Sequence, residues 1–564
     1  MKFRWVAASL SAMLLAGCTV GPNYRRPLVK TPENFRAPEP LPAPQATSLA
    51  DLKWWEVFKD EKLQDLIRAA LTANYDLRDA VARVDAARAS LGSTRSNQFP
   101  QIGASGDLQF TRLSRDGSFT LPSSFVASQN RNWGEATLNL LSFEVDIWGR
   151  LRRATEAARA NLLSAEENRK AVVTTLVSDV ATAYLHLREL DYELEISRAT
   201  LATRQDSLNL TISRQTGGVA TLLDLRQAEQ LVDTAEESIP GLQQQIEQTE
   251  NQITLLLGQS PAEIVRGQDF MQQALPPEVP AGLPSALLER RPDVVAAEQN
   301  LVAANANIGV AKAAYFPQIS LSGFLGGQST QLSTLFSGPH SAWSFVPQVT
   351  QPIFTAGRLK SGVKFAEAQR DSALIQYEKT IQTAFTDVSN ALIAHQRVRE
   401  SRLKQEALVA TLQDRTQLAY VRYRGGVDTQ LNALDADRDF FQAQLSLAEI
   451  RLNEWLSVVQ LYKARGGGWT LVPLDRQLPS TVPAASGELR KHAPIHLRHA
   501  PLDCGIHLGE NKIPNTEFSA ALLGRLEHQR DVLAAASQRK AAFRFKVPAE
   551  NLVAVTLERR MRER

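Results

Sequence analysis

The chain has 564 residues, of which 43% are hydrophobic and 22% charged, and its formal net charge is +3. Only two residues are cysteines, which excludes a disulfide-rich fold. From Gly487 onward there are 14 basic and 9 acidic residues, so this segment accounts for all of the net positive charge. The weakly basic character therefore gives no reason to expect a nucleic-acid partner.

The first 17 residues are typical of a bacterial secretion signal peptide. Basic residues precede an apolar run over residues 6–15, which is too short to cross a bilayer because a spanning helix needs about 20 residues. The sequence Leu-Ala-Gly-Cys follows at residues 15–18 and resembles a lipobox, in which the cysteine becomes the first mature residue and carries lipid. We therefore expect a lipid on Cys18. The same resemblance implies that Thr19, in the next position, directs the protein to the outer membrane.

Residues 18–50 and 471–564 flank the part of the chain that we expect to fold. The first segment is rich in proline, which prevents regular helix or strand, so we predict an extended tether. The second shows no periodic apolar face, and we predict a poorly structured tail. Five of the eight histidines lie in this tail beside Cys504. Their spacing matches no standard zinc pattern, so we predict no metal site.

The body of the chain contains an internal repeat. Residues 74–106 resemble residues 291–323, and both contain Phe-Pro-Gln-Ile, starting at Phe99 and Phe316. A second set of matches pairs the motif Gly-Arg-Leu at 149–151 with 357–359, and Gly-Gly-Val at 217–219 with 425–427. We therefore predict a duplicated unit of roughly 210 residues, with the first copy over 51–270 and the second over 271–470. Duplication of every element argues against an enzyme.

Each copy contains two segments with the alternation of a β-strand. We predict strands at about 101–113 and 131–147 in the first copy, and at about 317–327 and 341–354 in the second. Apolar residues such as Ile102 occupy one face of the first strand and polar residues the other. The alternation changes phase near residue 141, which predicts either a β-bulge or a change of neighbouring structure there.

Long helices follow each pair of strands. Residues 150–216 and 358–424 contain no proline, and at 1.5 Å per residue each segment predicts a helix about 100 Å long. A Gly-Gly pair ends each of them, and another helical segment begins at once. Glycine tolerates the positive φ that closes a helix, so we predict two helix hairpins.

Four strands with one apolar face suit a sheet that lies in a membrane. Unpaired backbone groups at a sheet edge cost several kcal/mol in lipid, so such a sheet must close on itself. The smallest single-chain barrels have about eight strands, so one chain cannot close alone. We expect an oligomer, and these arguments fit a dimer, a trimer or a tetramer equally well.

Several motifs resemble the OprM-like branch of the TolC-like outer membrane factors. They are TVGPNYRRP from Thr19, WWEVFKDEKLQDLI from Trp54, the two FPQI motifs, and YRGGVDTQLNALDADRDFF and LYKARGGGW near the end of the second copy. The resemblance covers Cys18 to about Trp469 and implies an α+β membrane protein. It would form a homotrimer with a 12-strand β-barrel in the outer membrane and a long α-helical barrel in the periplasm.

The resemblance also implies partners and a function. The channel would dock to a periplasmic adaptor (membrane fusion) protein and a proton-driven inner-membrane pump, and it would expel drugs and other toxic small molecules. No cofactor is implied beyond the covalent lipid on Cys18. Conduits for protein secretion share this architecture, so we keep secretion as the alternative, with a lipid-anchored coiled-coil spacer as a third hypothesis.

Two residues correspond to the family's periplasmic gate. They are Leu431 and Asp435, which lie four residues apart and therefore on one helical face. In a trimer, Leu431 would form an apolar collar and Asp435 a ring of three carboxylates, which needs a positive partner. The sequence does not decide between Arg422, Arg424 and Arg438. The pattern departs from TolC itself, where an acidic and a basic residue stand in the positions of Asn432 and Asp428.

The hairpin tips are our candidates for contact with the adaptor. They include Gly217, Gly218, Val219, Thr221, Gly425, Gly426, Val427 and Thr429. The alternative for all eight residues is a purely structural role in closing the hairpins. His186 and His395 stand alone in long helical runs, so we expect no catalytic or metal role for them.

Overall fold

The computed structural model describes residues 19–29, 31–32, 35–36, 53–112, 130–273 and 284–467. Cys18, the signal peptide, much of the tether and the tail lie outside the described residues. All described residues belong to one compact unit that ends at Ser480.

Long helices interrupted twice by a pair of strands make up the described chain. The helices are α1 (Trp54–Val57), α2 (Glu61–Ala73), α3 (Tyr75–Ser96), α4 (Arg150–Thr216), α5 (Leu222–Leu256), α6 (Pro284–Arg290), α7 (Pro292–Ala313), α8 (Arg358–Arg424) and α9 (Gln430–Ala464). The strands are β1 (Ile102–Arg112), β2 (Asn130–Glu144), β3 (Gln318–Ser329) and β4 (Ser341–Thr350). Both copies of the repeat have the same order, α3-β1-β2-α4-α5 and α7-β3-β4-α8-α9.

The four strands form one antiparallel sheet in the order β1-β2-β3-β4. The pairing of β2 with β3 shifts between Leu140 and Phe143, so a bulge lies where the alternation changes phase. β2 ends at Glu144, before the predicted residue 147. Asp146 lies in the irregular segment between β2 and α4. Its carboxylate accepts the N–H groups of Leu151 and Arg152 at 3.1 and 2.9 Å and caps α4.

The two longest helices have the predicted bounds. α4 and α8 each contain 67 residues, which gives each a length of about 100 Å. Both begin after a glycine with positive φ, Gly149 at 79° and Gly357 at 84°. Such a φ is unfavourable for residues with a Cβ, so the glycine of each Gly-Arg-Leu motif allows the abrupt change from strand to helix.

A single large core surrounds the middle of α4. Tyr184 and Leu187 are fully buried there, together with Ile67 of α2, Ile381 of α8 and Val458 of α9. The core therefore joins both copies of the repeat about halfway along the long helices.

A network of hydrogen bonds lies beside this core. The Tyr184 hydroxyl donates to the carboxylate of Asp60 at 2.8 Å and accepts the N–H of Gly267 at 2.9 Å. The other carboxylate oxygen of Asp60 caps α2. This network fixes the loop after α5 against the start of the body.

Residues 19–26, which directly follow Cys18, lie along α4 and α7. This segment is called the strap. The N–H of Val20 donates to the carbonyl of Trp148 at 3.0 Å, and the guanidinium of Arg153 donates to Asn23 Oδ1 at 2.6 Å. Further along, the amide of Asn305 donates to the Pro22 carbonyl at 2.9 Å. The strap therefore holds residue 19 next to the junction between β2 and α4.

The strap depends on a close approach at Gly309 of α7. A Cβ at this position would lie 2.8 Å from the Val20 carbonyl oxygen and from Arg153 Cγ. We predict that Gly309→Ala displaces the strap and makes trypsin cleave faster after Arg25, whose side chain is already exposed. Gly362→Ala is the matched control, because nothing lies within 4 Å of a Cβ there. Equal cleavage at Arg25 in the two variants would show that the strap does not require this contact.

Candidate functional site: the helix-hairpin tips

Both long helices end in turns of the same geometry. Gly218 and Gly426 each have a φ of +73°. At the first tip the N–H of Val219 donates to the Arg214 carbonyl at 2.8 Å, and the equivalent bond at the second tip measures 3.1 Å. These bonds define a Schellman motif, in which a left-handed residue closes the helix. The hairpins predicted from the Gly-Gly pairs are therefore present.

The helix that follows each tip begins at a threonine. Thr221 Oγ1 accepts the N–H of Asp224 at 3.2 Å, and the carboxylate of Asp224 accepts the N–H of Thr221 at 2.7 Å. This reciprocal capping box gives Thr221 a structural role. Thr429 caps α9 without a side-chain bond, and its N–H donates to Asp428 at 2.8 Å.

The tips present apolar side chains to their surroundings. Val219 and Val427 are 80% and 71% exposed, and Leu431 is 51% exposed on the first turn of α9. Single exposed apolar residues are common, but here equivalent valines project from both tips. The tips therefore offer an apolar surface around the turns made by Gly217, Gly218, Gly425 and Gly426.

The three candidate basic partners of Asp435 have different contacts. Arg438, one turn further along α9, contacts the Asp435 carboxylate at 3.3 Å. Arg422 instead pairs with Asp428 at 3.0 Å. The guanidinium of Arg424 lies 5.9 Å from the ring centroid of Tyr420. Within one chain, Arg438 is therefore the partner of the predicted gate carboxylate.

Asp428 holds the second tip in place although it is only partly buried. The Asn432 amide donates to its carboxylate at 2.7 Å, and Arg422 and the N–H of Thr429 donate as well. These hydrogen bonds, with Asn432 as the largest cause, lower the pKa of Asp428 below its ordinary value. The two departures from the TolC pattern, Asp428 and Asn432, are thus hydrogen-bonded to each other.

A buried glutamine joins the second hairpin to the first. Gln430 is only 5% exposed, and its amide donates to Thr211 Oγ1 of α4 at 3.0 Å and to the Asp224 carbonyl of α5 at 3.3 Å. Its carbonyl oxygen accepts the hydroxyl of Tyr423 at 3.3 Å. The first residue of α9 therefore contacts all three neighbouring helices.

Arg214 makes a second connection between the hairpins. Its guanidinium donates to the carbonyls of Tyr423 and Arg424 at 3.3 and 3.2 Å and lies 4.3 Å from the centroid of the Tyr423 ring. These carbonyls belong to the last turn of α8, which has no later helical N–H to pair with them, and the Tyr423 carbonyl also accepts the N–H of Gly426 at 3.1 Å. The arginine of the first hairpin thus caps the second.

A buried ion pair joins the two hairpins, about two turns along α9 from the second tip. Arg204 of α4 and Asp437 of α9 are 2.8 Å apart, and both side chains are buried. Arg204 also donates to the Leu231 carbonyl of α5 at 3.0 Å. Burial raises the pKa of Asp437 despite the opposing effect of Arg204.

A cleft of about 690 Å³ opens beside this ion pair, between α4, α8 and α9. Its lining includes four aromatic residues, Tyr192, Tyr420, Phe440 and Phe441, together with Asp437. At this level α4, α8 and α9 therefore do not pack closely against one another.

Sequence reasoning missed Gln430, Arg214 and the pair of Arg204 with Asp437. Each contact joins residues more than 200 positions apart, and a single sequence carries no signal for such pairs. Among the described residues, no group of His, Cys, Asp and Glu could hold a metal ion. The described helices include none long and apolar enough to cross a membrane.

The comparisons with known proteins agree with this architecture. The family model described as outer membrane efflux protein matches the chain twice, over residues 66–259 and 283–467. The two matches correspond to the two copies of the repeat. Both end before the C-terminal tail.

Individual relatives cover most of the same region. The antibiotic efflux pump outer membrane protein ArpC of Pseudomonas putida is 39% identical over 470 residues, which cover 82% of this chain and 95% of ArpC. The toluene efflux pump outer membrane protein TtgC, also of Pseudomonas putida, has the same identity and coverage. The open-state crystal structure of the Neisseria gonorrhoeae MtrE outer membrane channel has 31% identity and a TM-score of 0.71, covering 80% of this chain and 99% of MtrE. The chain belongs to the outer membrane efflux protein family.

Proposed function

We propose that this protein is the outer-membrane channel of a tripartite multidrug efflux pump. Drugs and other toxic small molecules would pass from an inner-membrane pump and a periplasmic adaptor through the channel to the exterior. The observation that carries the proposal is a four-stranded sheet with two open edges, joined to helix hairpins about 100 Å long. The names of ArpC and TtgC suggest antibiotics and aromatic solvents as substrate classes. We propose no catalytic activity for the chain.

The working form would be a homotrimer. Four strands per chain cannot close a barrel, whereas three chains supply 12 strands. Closure removes the unpaired edges of β1 and β4, which lipid does not tolerate. The helices of the three chains would form the periplasmic part of the channel.

The lipid on Cys18 would anchor the protein on the membrane side of the body. The strap supports this placement because it holds Thr19 against Gly149, at the junction of β2 with α4. The attached acyl chains would then lie level with the end of the sheet that joins the long helices. No other cofactor is proposed.

The hairpin tips would close the channel and receive the adaptor. Leu431 would form the apolar collar and Asp435 the carboxylate ring, with Arg438 of the same chain offsetting part of the charge. The exposed Val219 and Val427 would contact the adaptor, while the Gly-Gly pairs and the threonine caps keep the turns in shape. These assignments transfer the family pattern to the residues of this chain that match its motifs in sequence.

Drug susceptibility of a deletion strain tests the efflux function. We expect hypersensitivity to several unrelated antibiotics, rescued by the wild-type gene and by a version truncated after Pro483. Rescue by the truncated protein would make the tail dispensable. Unchanged susceptibility in a strain that lacks redundant pumps would contradict the efflux function and favour protein secretion.

A further inference from the structure

The open edges of the sheet call for specific strand partners. Among the described strands, β1 and β4 each have one neighbour, so the other side of each carries N–H and C=O groups without a strand partner there. The proposed closed barrel requires β4 of one chain to pair with β1 of the next. The following inference rests on that proposal and specifies which residues meet.

The internal repeat provides a template for this contact. β2 is the last strand of the first copy and β3 is the first strand of the second copy, and they pair antiparallel within the chain. β4 and β1 have the same positions in their own copies. If the next chain continues the repeat, β4 meets β1 in the way that β2 meets β3.

The two hairpins show which residues are equivalent. Counting from the shared Phe-Pro-Gln-Ile motifs makes Gly106 of β1 equivalent to Gly323 of β3. Gly106 lies opposite Ala136, and Gly323 lies opposite Phe345. Ala136 of β2 and Phe345 of β4 are therefore equivalent. The β2 bulge lies between Leu140 and Phe143, after Ala136 in the chain, so it does not affect this count.

The contact between the copies then fixes the register. Ala136 lies opposite Gly327 of β3, and the motif count makes Gly327 equivalent to Phe110 of β1. We infer that Phe345 of one chain lies directly opposite Phe110 of the next chain.

The chemistry of the neighbouring pairs supports this register. Along the same face, Trp343 lies opposite Arg112 of the next chain, which permits a cation–π contact beside the aromatic pair. On the other face, Ser344 lies opposite Thr111, a cross-strand pair that can form a hydrogen bond. A slip by one residue would place Phe345 opposite the polar Gln109 and exchange the two faces of one strand.

The packing of the helices independently supports the idea that the next chain continues the repeat. Within the chain, α4 packs against α7 and α9 of the second copy. The template therefore places α8 of one chain against α3 and α5 of the next. α4 buries 24 of its 67 residues, whereas α8, of equal length, buries nine. Phe365, Ile375 and Leu418 of α8 are more than half exposed, which leaves an apolar face for that neighbour.

Disulfide cross-linking in a Cys504→Ser background tests the register. Directly opposite residues have Cα atoms about 4.5–5.5 Å apart, within the range of a disulfide, whereas residues displaced by two positions are about 7–8 Å apart. We expect Phe345→Cys with Phe110→Cys to give chains linked to one another on non-reducing gels after oxidation with copper phenanthroline. Phe345→Cys with Leu108→Cys should give at least tenfold less product. Each single-cysteine variant is a further control.

Two measurements make a negative result decisive. Leu138→Cys with Leu325→Cys joins a directly opposite pair inside one chain and should form an intramolecular disulfide under the same conditions. Native gels report whether the oligomer is intact. An intact oligomer with the control disulfide but more cross-linking through Leu108 than through Phe110 would overturn the register. A monomer in every sample would instead contradict the proposed trimer.

Discussion

Arg204→Ala should destabilise the protein by about 3–5 kcal/mol, because it leaves Asp437 buried without its partner. The same change removes the donor to the Leu231 carbonyl and releases α9 from α4 and α5 near the tips. We therefore also expect a larger conductance of the closed channel. Thermal unfolding of the purified oligomer and single-channel recording measure the two effects.

Two further variants separate the buried charge from general damage. Arg415→Ala removes a pair with Asp439 whose side chains are both substantially exposed, so it should cost about 0–1 kcal/mol. The double variant Arg204→Met with Asp437→Leu removes both charges and should recover most of the lost stability. If Arg204→Ala were no more harmful than Arg415→Ala, the buried pair would not hold the hairpins together.

Glu189→Gln should make the protein more stable at pH 8.5 and leave it nearly unchanged at pH 5. Glu189 is 4% exposed. Burial, followed by the charges of Glu193 and Glu449, raises its pKa from an ordinary value of 4.5 to about 8. The only imidazole beside it in the described chain, that of His186, is 4.0 Å away, and burial lowers its pKa.

The direction of this pH effect on stability follows from proton binding. A carboxyl group with a raised pKa binds its proton more tightly in the folded chain, so its stabilising contribution is complete below pH 4.5 and is lost as the pH rises to about 8. The amide of Gln mimics the protonated acid and stays neutral, so the variant should gain on the order of 2–4 kcal/mol at pH 8.5. Melting temperatures at both pH values measure this difference. Glu195→Gln, at an exposed position of the same helix, should show no such dependence, and an equal gain in both variants would refute the account.

The regular parts of this fold could be predicted because their signals are local. The bounds of α4 and α8 follow from a Gly-Arg-Leu motif at one end and a Gly-Gly pair at the other. The bulge after Leu140 follows from a change of phase that would otherwise place apolar residues on the wrong face. The repeat predicted the order of elements in the second copy from the first.

The parts that could not be predicted depend on distant pairs or on small differences in geometry. Three arginines lie within 13 residues of Asp435 in the sequence, and only the structure shows that Arg438 is the one in contact with it. β4 ends at Thr350 rather than near residue 354 because the alternation of side chains does not mark where hydrogen bonding stops. The capping of α8 by Arg214 brings together groups from different copies of the repeat.

Single-channel recording from the purified protein in planar lipid bilayers tests the central claim most directly. If three chains form a barrel closed by the hairpin tips, the wild type should show small, cation-preferring conductance steps. Asp435→Ala should reduce the preference for cations, because it removes the proposed ring of three carboxylates at the gate. An intact oligomer that inserts into the bilayer and conducts no ions, as wild type or as Arg204→Ala, would contradict the channel and leave a lipid-anchored spacer.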